Sequence, residues 1–531
     1  MPATPAVAAS CEGYLDDVAY PDFFHREMTP LWLSAAATAL GRAAPDPAAP
    51  HVWMELGCGA GLGALLTAAA NPQARCIGID LSAAHIAAAS ARAEAAGIDN
   101  IEFHQKDLAD LATADDAALP ACDYIVLHGV YAWVSPAVQR AVIEIVRRWL
   151  KPGGLLYLGY MTHPGASAFA AAQRFMRAHA EGAGGSTGSS DARARAALAA
   201  LRAAQAAGAG YFSAQPDLAR QLALVEAEGP GYLAHEFLNP HWQPLHVADV
   251  MAQCAGAGCS YIGSASLLEN IDAISLPEPT QALLRTIDDP VQAETLRDLA
   301  RNQSQRRDIY QRTDGAAFRH ALDAVAHRAG LLRQVLAPLP GMPRRGPFVM
   351  ETRIGPVEAS HAVFSPLLAA LLQGPQSFEA LARLPVYAPQ PGLLNQAFQA
   401  LCATGSAHLA LPVARIEAGP AWRLNRVLSG EGARTAQTAQ TAQTAQTARR
   451  SWLVAPALGS AVAVTPLECA AAHALLGNPA LREAGLLQAV YARLAEAAGN
   501  AAQRPEVDEQ ALAAFERTTL PLWQHYGVVP R

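Results

Sequence analysis

Short apolar runs alternate with helical patterns over the first 165 residues, and this alternation predicts a parallel sheet made of β–α units. Ser82 and the pair Ser135-Pro136 begin two of the predicted helices, because serine caps a helix N-terminus and proline fits its first turn. Gly97 ends the first of them. The predicted strands are HVWMEL (51–56), CIGID (76–80), IEFHQKD (101–107), CDYIVLHG (122–129) and LLYLGYMT (155–162).

Beyond residue 165 the pattern becomes mostly helical. YLAHEFL (232–238), CSYIGSAS (259–266) and RRDIYQR (306–312) are predicted to be further strands, and the last is expected to close the sheet. From about residue 316 helices dominate, and residues 349–384 are typical of the start of a smaller, winged-helix-like module. The TAQ repeat (435–448) is predicted to be a disordered loop, because a sequence of such low complexity cannot bury a core.

Composition narrows the class of protein. A chain of 531 residues is long enough for two or three domains, and a net charge of -7 argues against nucleic-acid binding, which needs a basic face. No apolar run is long enough to cross a bilayer, and the start MPATPAVAASC lacks the features of a signal peptide. Eight cysteines without a CxxC pair suit a reducing compartment. We therefore expect a cytoplasmic protein that binds neither membrane nor nucleic acid.

A glycine-rich turn, MELGCGAGLG (54–63), follows the first predicted strand and opens a helix. Gly57, Gly59 and Gly61 let the backbone turn sharply and approach a ligand that a Cβ would repel. Gly59-x-Gly61-x-x-Ala64 also satisfies the relaxed dinucleotide fingerprint, so NAD is one candidate ligand.

Three acidic residues at successive strand ends favour a different ligand. Glu55 lies where a pyrophosphate would be repelled and an ammonium group attracted. Asp80 lies 25 positions further on, where a carboxylate can accept hydrogen bonds from both ribose hydroxyls. Asp107 ends the third strand, in reach of an adenine amino group. Together they suit S-adenosylmethionine, a nucleoside with an amino-acid tail, a cationic sulfonium and no phosphate.

The chain resembles the class I S-adenosylmethionine-dependent methyltransferases, and in particular a bacterial subfamily in which a methyltransferase regulatory domain follows the catalytic domain. The bacterial outer-membrane-protein lysine methyltransferases belong to that subfamily. The resemblance covers roughly residues 10–315 and, more loosely, 349–410. The motifs that carry it are Tyr14, Asp17-Val18, Tyr20-Pro21, ELGCGAG (55–61), CIGIDLS (76–82), HGVYAWV (128–134), LKPGGLLYLGYMTHPG (150–165) and YLAHEFLNPHWQPL (232–245).

The resemblance implies a fold and a domain order. The fold is α/β, a Rossmann-like class I methyltransferase sheet with helical insertions, followed by a mostly helical C-terminal domain with a winged-helix-like part. Residues 1–50 would form an N-terminal cap or lid. Residues 51–315 would form the methyltransferase domain, with a helical and regulatory insertion at about 176–300. Residues 316–531 would form the C-terminal domain.

The resemblance also implies the residues that contact S-adenosylmethionine. Glu55 would face the methionine ammonium, Asp80 the ribose diol and Asp107 the adenine amino group. His128 and Gly129 would lie near the sulfonium and the methyl group. The remaining cofactor contacts would come from Tyr20 in the lid segment, from Gly57, Cys58, Gly59 and Gly61 in the glycine turn, and from Leu81 and Leu108 beside the adenine.

The methyl acceptor should lie beyond the end of the fourth strand, because ligands of open α/β sheets bind outside the carboxyl ends of the strands. Tyr131 and Trp133 could hold a cationic amine by cation–π contact, and no metal is expected, since HEFLN (235–239) lacks the second histidine of HExxH. The candidates for the acceptor pocket are His128, Tyr131, Trp133, Tyr160, His163 and Glu236.

Three functions are compatible with these residues. The first is an N-methyltransferase acting on lysine side chains of a protein, such as an outer-membrane or surface protein before export. The second is a small-molecule N- or O-methyltransferase whose C-terminal half serves as a dimer interface or a lid. The third is a catalytically inactive binding module, against which the intact Glu55, Asp80 and Asp107 argue.

Overall fold

The structure of the protein is a computed structural model. It describes residues 15, 17–18, 22–115, 119–182, 188–216, 218–227, 229–314, 320–346, 348–412, 416–439, 451–497 and 507–531. Tyr20 of the expected lid and most of the TAQ repeat lie outside these residues.

Strands β1–β7 belong to one central sheet, and β8–β14 form small antiparallel sheets in the C-terminal part. The strands are β1 (His51–Leu56), β2 (Ala74–Asp80), β3 (Ile101–Gln105), β4 (Cys122–His128), β5 (Leu150–Met161), β6 (Cys259–Ser264), β7 (Gln305–Arg312), β8 (Val335–Pro338), β9 (Val349–Thr352), β10 (Gly355–Glu358), β11 (Gln376–Ser377), β12 (Ala407–Ala410), β13 (Ser451–Ala455) and β14 (Ser460–Val464).

Helices and the loops between the elements make up the rest of the described chain. The helices are α1 (Pro30–Ala39), α2 (Leu62–Ala70), α3 (Ala83–Ala96), α4 (Leu108–Thr113), α5 (Pro136–Trp149), α6 (Ser167–Glu181), α7 (Ser190–Ala206), α8 (Gly210–Ala214), α9 (Leu218–Ala227), α10 (Pro230–Leu238), α11 (Val247–Gly256), α12 (Asp272–Ser275), α13 (Glu278–Leu284), α14 (Pro290–Arg301), α15 (Ala324–Leu332), α16 (His361–Leu371), α17 (Phe378–Leu381), α18 (Pro391–Ala403), α19 (Gly419–Ala439), α20 (Pro466–Gly477), α21 (Glu483–Ala497), α22 (Glu509–Ala514) and α23 (Leu520–Tyr526). Single turns lie at Arg26–Met28, Leu267–Asn270, Pro456–Leu458 and Phe515–Thr519.

The central sheet confirms the predicted fold class. Within the described residues its strand order is β3-β2-β1-β4-β5-β7-β6, with β1 to β5 parallel and β7 antiparallel to both β5 and β6. Successive side chains point to opposite faces, so Trp53 packs into the apolar layer on one face and Met54 into the layer on the other. Buried parallel strands need apolar residues on both faces, which is why these segments read as continuous apolar runs.

Two predictions about the second half of the sheet are wrong. RRDIYQR does not close the sheet, because β7 lies between β5 and β6 and leaves β6 at the edge. YLAHEFL is not a strand, since it forms helix α10. A short apolar run fits a buried strand and a buried helix equally well, and here Pro230 at the first turn marks the helix.

The TAQ repeat is helical where the structure describes it. Helix α19 extends to Ala439 and so includes the first residues of the repeat, in contrast to the predicted disordered loop. The rest of the repeat lies outside the described residues.

The C-terminal part packs directly on the helices of the central sheet. Arg423 of α19 donates from Nε to Ala96 O (2.9 Å) and from Nη2 to Gly97 O (2.7 Å), which satisfies carbonyls at the end of α3. Asn71, after α2, donates to Gly459 O at 3.2 Å. One apolar cluster joins α2 and the N-terminal Phe24 to strands β13 and β14. Within the described residues, no helix is both long enough and apolar enough to cross a membrane.

A buried ion network ties β7 to α14. The Arg306 guanidinium contacts Asp308 at 2.8 Å, Asp298 at 2.5 Å and Glu294 at 2.8 Å, and its side chain is only 4% exposed. Burial raises the pKa of Asp298 to about 7, while the nearby Arg306 opposes that rise. Tyr160 of β5 donates to Asp308 at 2.8 Å and so extends the network into the sheet.

Arg306→Met should destabilise the protein by about 3–5 kcal/mol, because the buried Asp298 and Asp308 lose their cation and Glu294 keeps only Arg297. Thermal unfolding would show a lower midpoint. Arg383→Met is the control, since Arg383 pairs with Glu379 on an exposed surface and should change stability by less than about 1 kcal/mol. Equal midpoints for the two variants would contradict the prediction.

Candidate active site

A cavity of about 590 Å³ opens at the carboxyl ends of β1, β2 and β4. Its volume lies within the range of about 300–1,000 Å³ that small-molecule sites occupy. The wall combines distant parts of the sequence. They include the N-terminal segment 22–28, the turn after β1, the ends of β2 and β4, the residues that follow β3, helix α10 and the start of β7.

The turn after β1 has the backbone that its glycines allow. Gly57, Gly59 and Gly61 have φ values of 74°, 55° and 76°, which residues with a side chain rarely adopt. A Cβ at Gly57 would lie 2.4 Å from Val130 Cγ2, so the turn packs closely on the loop after β4. A Cβ at Gly59 would meet no atom within 4 Å, and Gly59 lines the cavity. Gly59 is therefore where the backbone is most open to a ligand.

Glu55 is a buried carboxylate at the end of β1. Its side chain lines the cavity, the residue is 8% exposed, and Oε2 receives no hydrogen bond from the described residues. Burial raises the pKa of Glu55 to about 8, and the nearby Asp80 adds to the rise. A buried acid with an unfilled acceptor atom is suited to a cationic ligand group.

Asp80 holds the glycine turn and the start of α3 together. Its Oδ2 accepts from Gly59 N and its Oδ1 from Ser82 N, both at 2.9 Å. His85, in the first turn of α3, lies 3.3 Å from Asp80 Oδ1, and this contact raises the pKa of His85. Asp80 lines the cavity as predicted, but its carboxylate is also a structural acceptor, which the sequence did not indicate.

The residues that the sequence predicts near the adenine also line the cavity. Cys58, Leu81 and Leu108 line the cavity together with Asp107. Asp107 caps α4 by accepting from Ala109 N at 2.8 Å, which fixes the direction of its carboxylate. Burial raises the pKa of the Cys58 thiol, so it stays uncharged and apolar.

His128, at the end of β4, is fixed on every side. Its Nδ1 lies 2.8 Å from Tyr157 Oη and its Nε2 lies 3.3 Å from Gln305 Nε2. The His25 ring stacks on it with the centroids 3.7 Å apart. Burial, His25 and Arg307 lower the pKa of His128 well below its usual value. His128 is therefore a neutral, immobile wall beside Gly129, which also lines the cavity.

The part of the cavity wall where the acceptor is expected combines aromatic rings with one acid. Trp133 and Tyr232 lie on the wall with Phe23, whose ring meets Tyr232 edge to face at 6.2 Å. Glu236 also lines the cavity and is 8% exposed. Asn239 donates to Trp133 O at 3.0 Å and so fixes the loop that carries the indole.

Three residues expected at the acceptor pocket lie elsewhere. Tyr131 is fully buried in the apolar layer, where its hydroxyl donates to Gln253 of α11 at 2.6 Å. Tyr160 is fully buried with its hydroxyl on Asp308. His163 bonds Ser167 and stacks on His246, away from the cavity. In the part of the chain that the structure describes, the cavity wall includes Trp133, His128 and Glu236 but not these three residues.

Gly61 also differs from its expected place. A Cβ there would lie 2.6 Å from Ala89 and 2.8 Å from Phe103, so Gly61 lets α3 and β3 approach the turn and does not line the cavity. Tyr20, expected in the lid, lies outside the described residues.

Several wall residues were not predicted. His25, His85 and Gln305 come from the N-terminal segment, a helix and a strand, and no short motif joins them. His85 alone carried a signal, because it lies three residues after the cap Ser82 in a helix that begins at the carboxyl edge of the sheet. The others become neighbours only through the tertiary fold.

The model of a family described as "Methyltransferase domain" matches residues 54–154, which run from β1 to the start of β5. A second model, "Predicted methyltransferase regulatory domain", matches residues 229–312 and so covers α10 to β7.

Relatives and solved structures extend the similarity over most of the chain. An uncharacterized protein of Synechocystis sp. is 30% identical over 392 residues, which is 73% of this chain and 74% of that protein. An uncharacterized protein of Rickettsia prowazekii is 35% identical over 150 residues, 28% of this chain and 26% of that protein. The fold is similar to that of PKMT2 from Rickettsia typhi in complex with AdoHcy, with a TM-score of 0.67, 18% identity and coverage of 96% of this chain and 99% of that one.

The parallel sheet and the carboxylate-lined cavity define an enzyme that uses S-adenosylmethionine as its methyl donor. The chain belongs to the class I S-adenosylmethionine-dependent methyltransferases that carry a methyltransferase regulatory domain.

The residues present fit this cofactor. The buried Oε2 of Glu55 has no partner among the described residues and offers an acceptor to the methionine ammonium group. The open backbone at Gly59 leaves room for the chain between ribose and amino acid. The individual contacts of Glu55, Asp80, Leu81, Asp107 and the glycines remain predictions.

The affinity for S-adenosylmethionine should rise with pH between about 6 and 7.5, by close to tenfold per unit. Glu55 has a pKa of about 8 in the free protein and must lose its proton to pair with the ammonium group. Calorimetry should show this slope for the wild type and a flat, weaker profile for Glu55→Gln. Glu102→Gln removes an exposed carboxylate that pairs with Arg75 and should keep the slope. A pH-independent affinity of the wild type would contradict the prediction.

Gly59→Ala should weaken S-adenosylmethionine binding by at least tenfold, because the added Cβ would stand in the cavity. Gly208→Ala is the matched control. Gly208 also has a positive φ (81°) with no atom within 4 Å of an added Cβ, so both variants carry the same backbone strain of about 1 kcal/mol. Calorimetry of both variants, with their melting temperatures, separates strain from lost binding. Wild-type affinity in Gly59→Ala would show that the ligand lies elsewhere.

Proposed function

We propose that the protein transfers methyl groups from S-adenosylmethionine to the side-chain nitrogen of lysine residues in a protein. The single observation that carries this proposal is a buried carboxylate, Glu236, in the aromatic wall that Trp133 and Tyr232 form beside the cofactor part of the cavity.

This wall suits a long aliphatic chain that ends in a cation. Phe23 and Trp133 offer apolar and π surfaces along which methylene groups can lie. Aromatic faces attract an ammonium group by about 0.5–2 kcal/mol, more where water is excluded. Glu236 supplies the negative charge at the same wall. A neutral hydroxyl acceptor would gain nothing from the attraction between aromatic rings and a cation.

The proposed cofactor contacts orient the methyl group of S-adenosylmethionine in the cavity. S-adenosylmethionine supplies an electrophilic methyl group on a cationic sulfur. Glu55 would hold the amino-acid end and Asp80 the ribose, so that the methyl group faces the backbone at His128 and Gly129. The buried, neutral ring of His128 keeps this part of the cavity dry and uncharged, which favours the amine over water as the group that receives the methyl.

A protein acceptor is supported by the size of the enzyme. More than 200 residues lie beyond the central sheet, from residue 320 to the end of the chain, and part of them packs firmly on α2 and α3. Such additional surface is what recognition of a macromolecule requires. The fold of PKMT2 extends over the same length of chain.

Methyl transfer from labelled S-adenosylmethionine into bacterial lysate, separated into protein and small molecules, tests the proposal. Label should enter the protein fraction, and acid hydrolysis should recover it as methylated lysine. Label confined to small molecules would replace the lysine proposal by a small-molecule methyltransferase. Binding of S-adenosylmethionine without any label would support the inactive module.

Trp133→Leu should lower kcat/KM for the labelled acceptor by about 3–30-fold, the range of one lost cation–π contact. The affinity for S-adenosylmethionine should stay within about threefold. Tyr131→Phe is the matched control, because Tyr131 lies two residues away in the apolar layer and only loses its bond to Gln253. If both variants were as active as the wild type, Trp133 would not be part of the acceptor site.

A further inference from the structure

Helix α10 brings three side chains into the reaction cavity, although it belongs to the segment that the regulatory-domain model matches. Tyr232, His235 and Glu236 are three and four positions apart and so share one face of the helix. His235 Nε2 lies 2.8 Å from Val18 O, which joins this face to the N-terminal segment. The match to a regulatory domain therefore includes part of the reaction site.

The Glu236 carboxylate is buried among neutral donors. Trp242 Nε1 donates to its Oε2 at 3.2 Å, and the side chains of Tyr232 and Trp133 also donate to it. Among the residues that the structure describes, Glu236 takes part in no ion pair. A carboxylate that is hydrogen-bonded but lacks a cation is costly to bury, and it is suited to receive a cation from the cavity.

We propose that Glu236 binds the substrate amine beside the methyl donor and accepts the proton that the ammonium group loses. The inference rests on the proposed function, since it needs an amine acceptor. A carboxylate has about four acceptor positions, and three donors leave one for the substrate. The three aromatic donors fix the direction in which that position points.

The ammonium group of the substrate gives one proton to a carboxylate oxygen of Glu236, and the N–H electron pair stays on nitrogen. That lone pair forms the new N–C bond with the methyl carbon as the C–S bond breaks and leaves its electron pair on sulfur. The products are a methylammonium group, S-adenosylhomocysteine and protonated Glu236, which returns its proton to water.

The other candidate bases are less suited to this role. Both ring nitrogens of His128 have partners, Tyr157 and Gln305, and its lowered pKa keeps it neutral without affinity for a proton near pH 7. His163 lies away from the cavity and bonds Ser167. Glu236 is thus the acid on the acceptor side of the wall that can change its protonation.

The environment also sets the pH range of the step. Burial raises the pKa of Glu236 to about 7, against the opposing effect of its three donors. A base works best when its pKa lies near the working pH. The other titratable or charged groups that line the same cavity are Tyr232 and His235 on α10, Glu55 on β1, Cys58 in the glycine turn, Asp80 on β2, His85 on α3, Lys106 and Asp107 after β3, His128 on β4, and Asp22 and His25 in the N-terminal segment.

The test compares the pH profiles of wild type and Glu236→Gln, with the heat-denatured lysate protein fraction as acceptor and methyl-lysine as readout. At a saturating concentration of S-adenosylmethionine, so that the titration of Glu55 does not contribute, wild-type kcat/KM for the acceptor should rise with pH up to about 7 and then level off. Glu236→Gln should lose about 10²–10⁴-fold at pH 7. It should recover by close to tenfold per unit towards pH 10, because the free amine then forms in solution with a pKa of about 10.4. Its affinity for S-adenosylmethionine should stay within about threefold.

A second variant keeps the test decisive if Glu236→Gln does not fold. Trp242→Phe removes one donor to the ionised carboxylate and leaves Glu236 in place. The pKa of Glu236 should rise, so the acid limb of the kcat/KM profile should move to higher pH. A residue with a purely structural role would leave this limb where it is.

The outcomes separate the two proposals. A wild-type profile in Glu236→Gln, or an unmoved acid limb in Trp242→Phe, would overturn the role of Glu236 while methyl-lysine formation still supports the proposed function. If the wild type forms no methyl-lysine although calorimetry shows S-adenosylmethionine binding, the proposed function fails and the role of Glu236 fails with it.

Discussion

The burial of two carboxyl groups in the cavity beside the central sheet is the constraint on which this structure depends. Glu55 and Glu236 line one cavity, and both have raised pKa values because burial disfavours the charged carboxylate. The protein does not neutralise Glu236 with an internal cation in the part that the structure describes, although it does so for Asp308 through Arg306. Within the described residues Glu55 and Glu236 have no cationic partner, whereas Asp308 is paired inside the fold.

The cavity also depends on elements that are far apart in sequence. The turn after β1 needs glycine at Gly57 because Val130 packs on it, and the loop that carries Val130 also carries Trp133. Helix α10 reaches the same space after the chain has left the sheet for the helices α6 to α9 and before it returns as β6. His25 then covers His128 from the N-terminal side. The proposed cofactor site and the proposed acceptor wall thus share their packing contacts, and the contacts that form one also position the other.

The sequence predicts the first half of the sheet well, because β1, β2 and β4 are mostly apolar runs that end in an acid or are followed by a glycine. The prediction from sequence fails where the spacing of apolar residues does not distinguish a strand from a helix. YLAHEFL has the apolar content of a buried strand and of a short buried helix, and only the tertiary fold decides between them. Tyr131 and Trp133 are two residues apart, yet one enters the core and the other the cavity, since their backbone is a turn and not a strand. The partners of Arg306 are distributed over α14 and β7 and could not be read from spacing.

Helix α3 is anchored at both ends by different parts of the chain. At its start Ser82 bonds Asp80, and at its end Arg423 from the C-terminal part binds the last carbonyls, while Arg92 in between contacts Asp22 of the N-terminal segment and Glu431 of α19. The central sheet and its helices therefore depend on contacts from the C-terminal part of the chain. A gene shortened before residue 419 would encode an α3 whose terminal carbonyls have lost Arg423 and whose Arg92 has lost Glu431. Natural variation in this family should accordingly accumulate on the outer faces of the C-terminal helices, while the contacts to α3 are inherited together with the glycine turn.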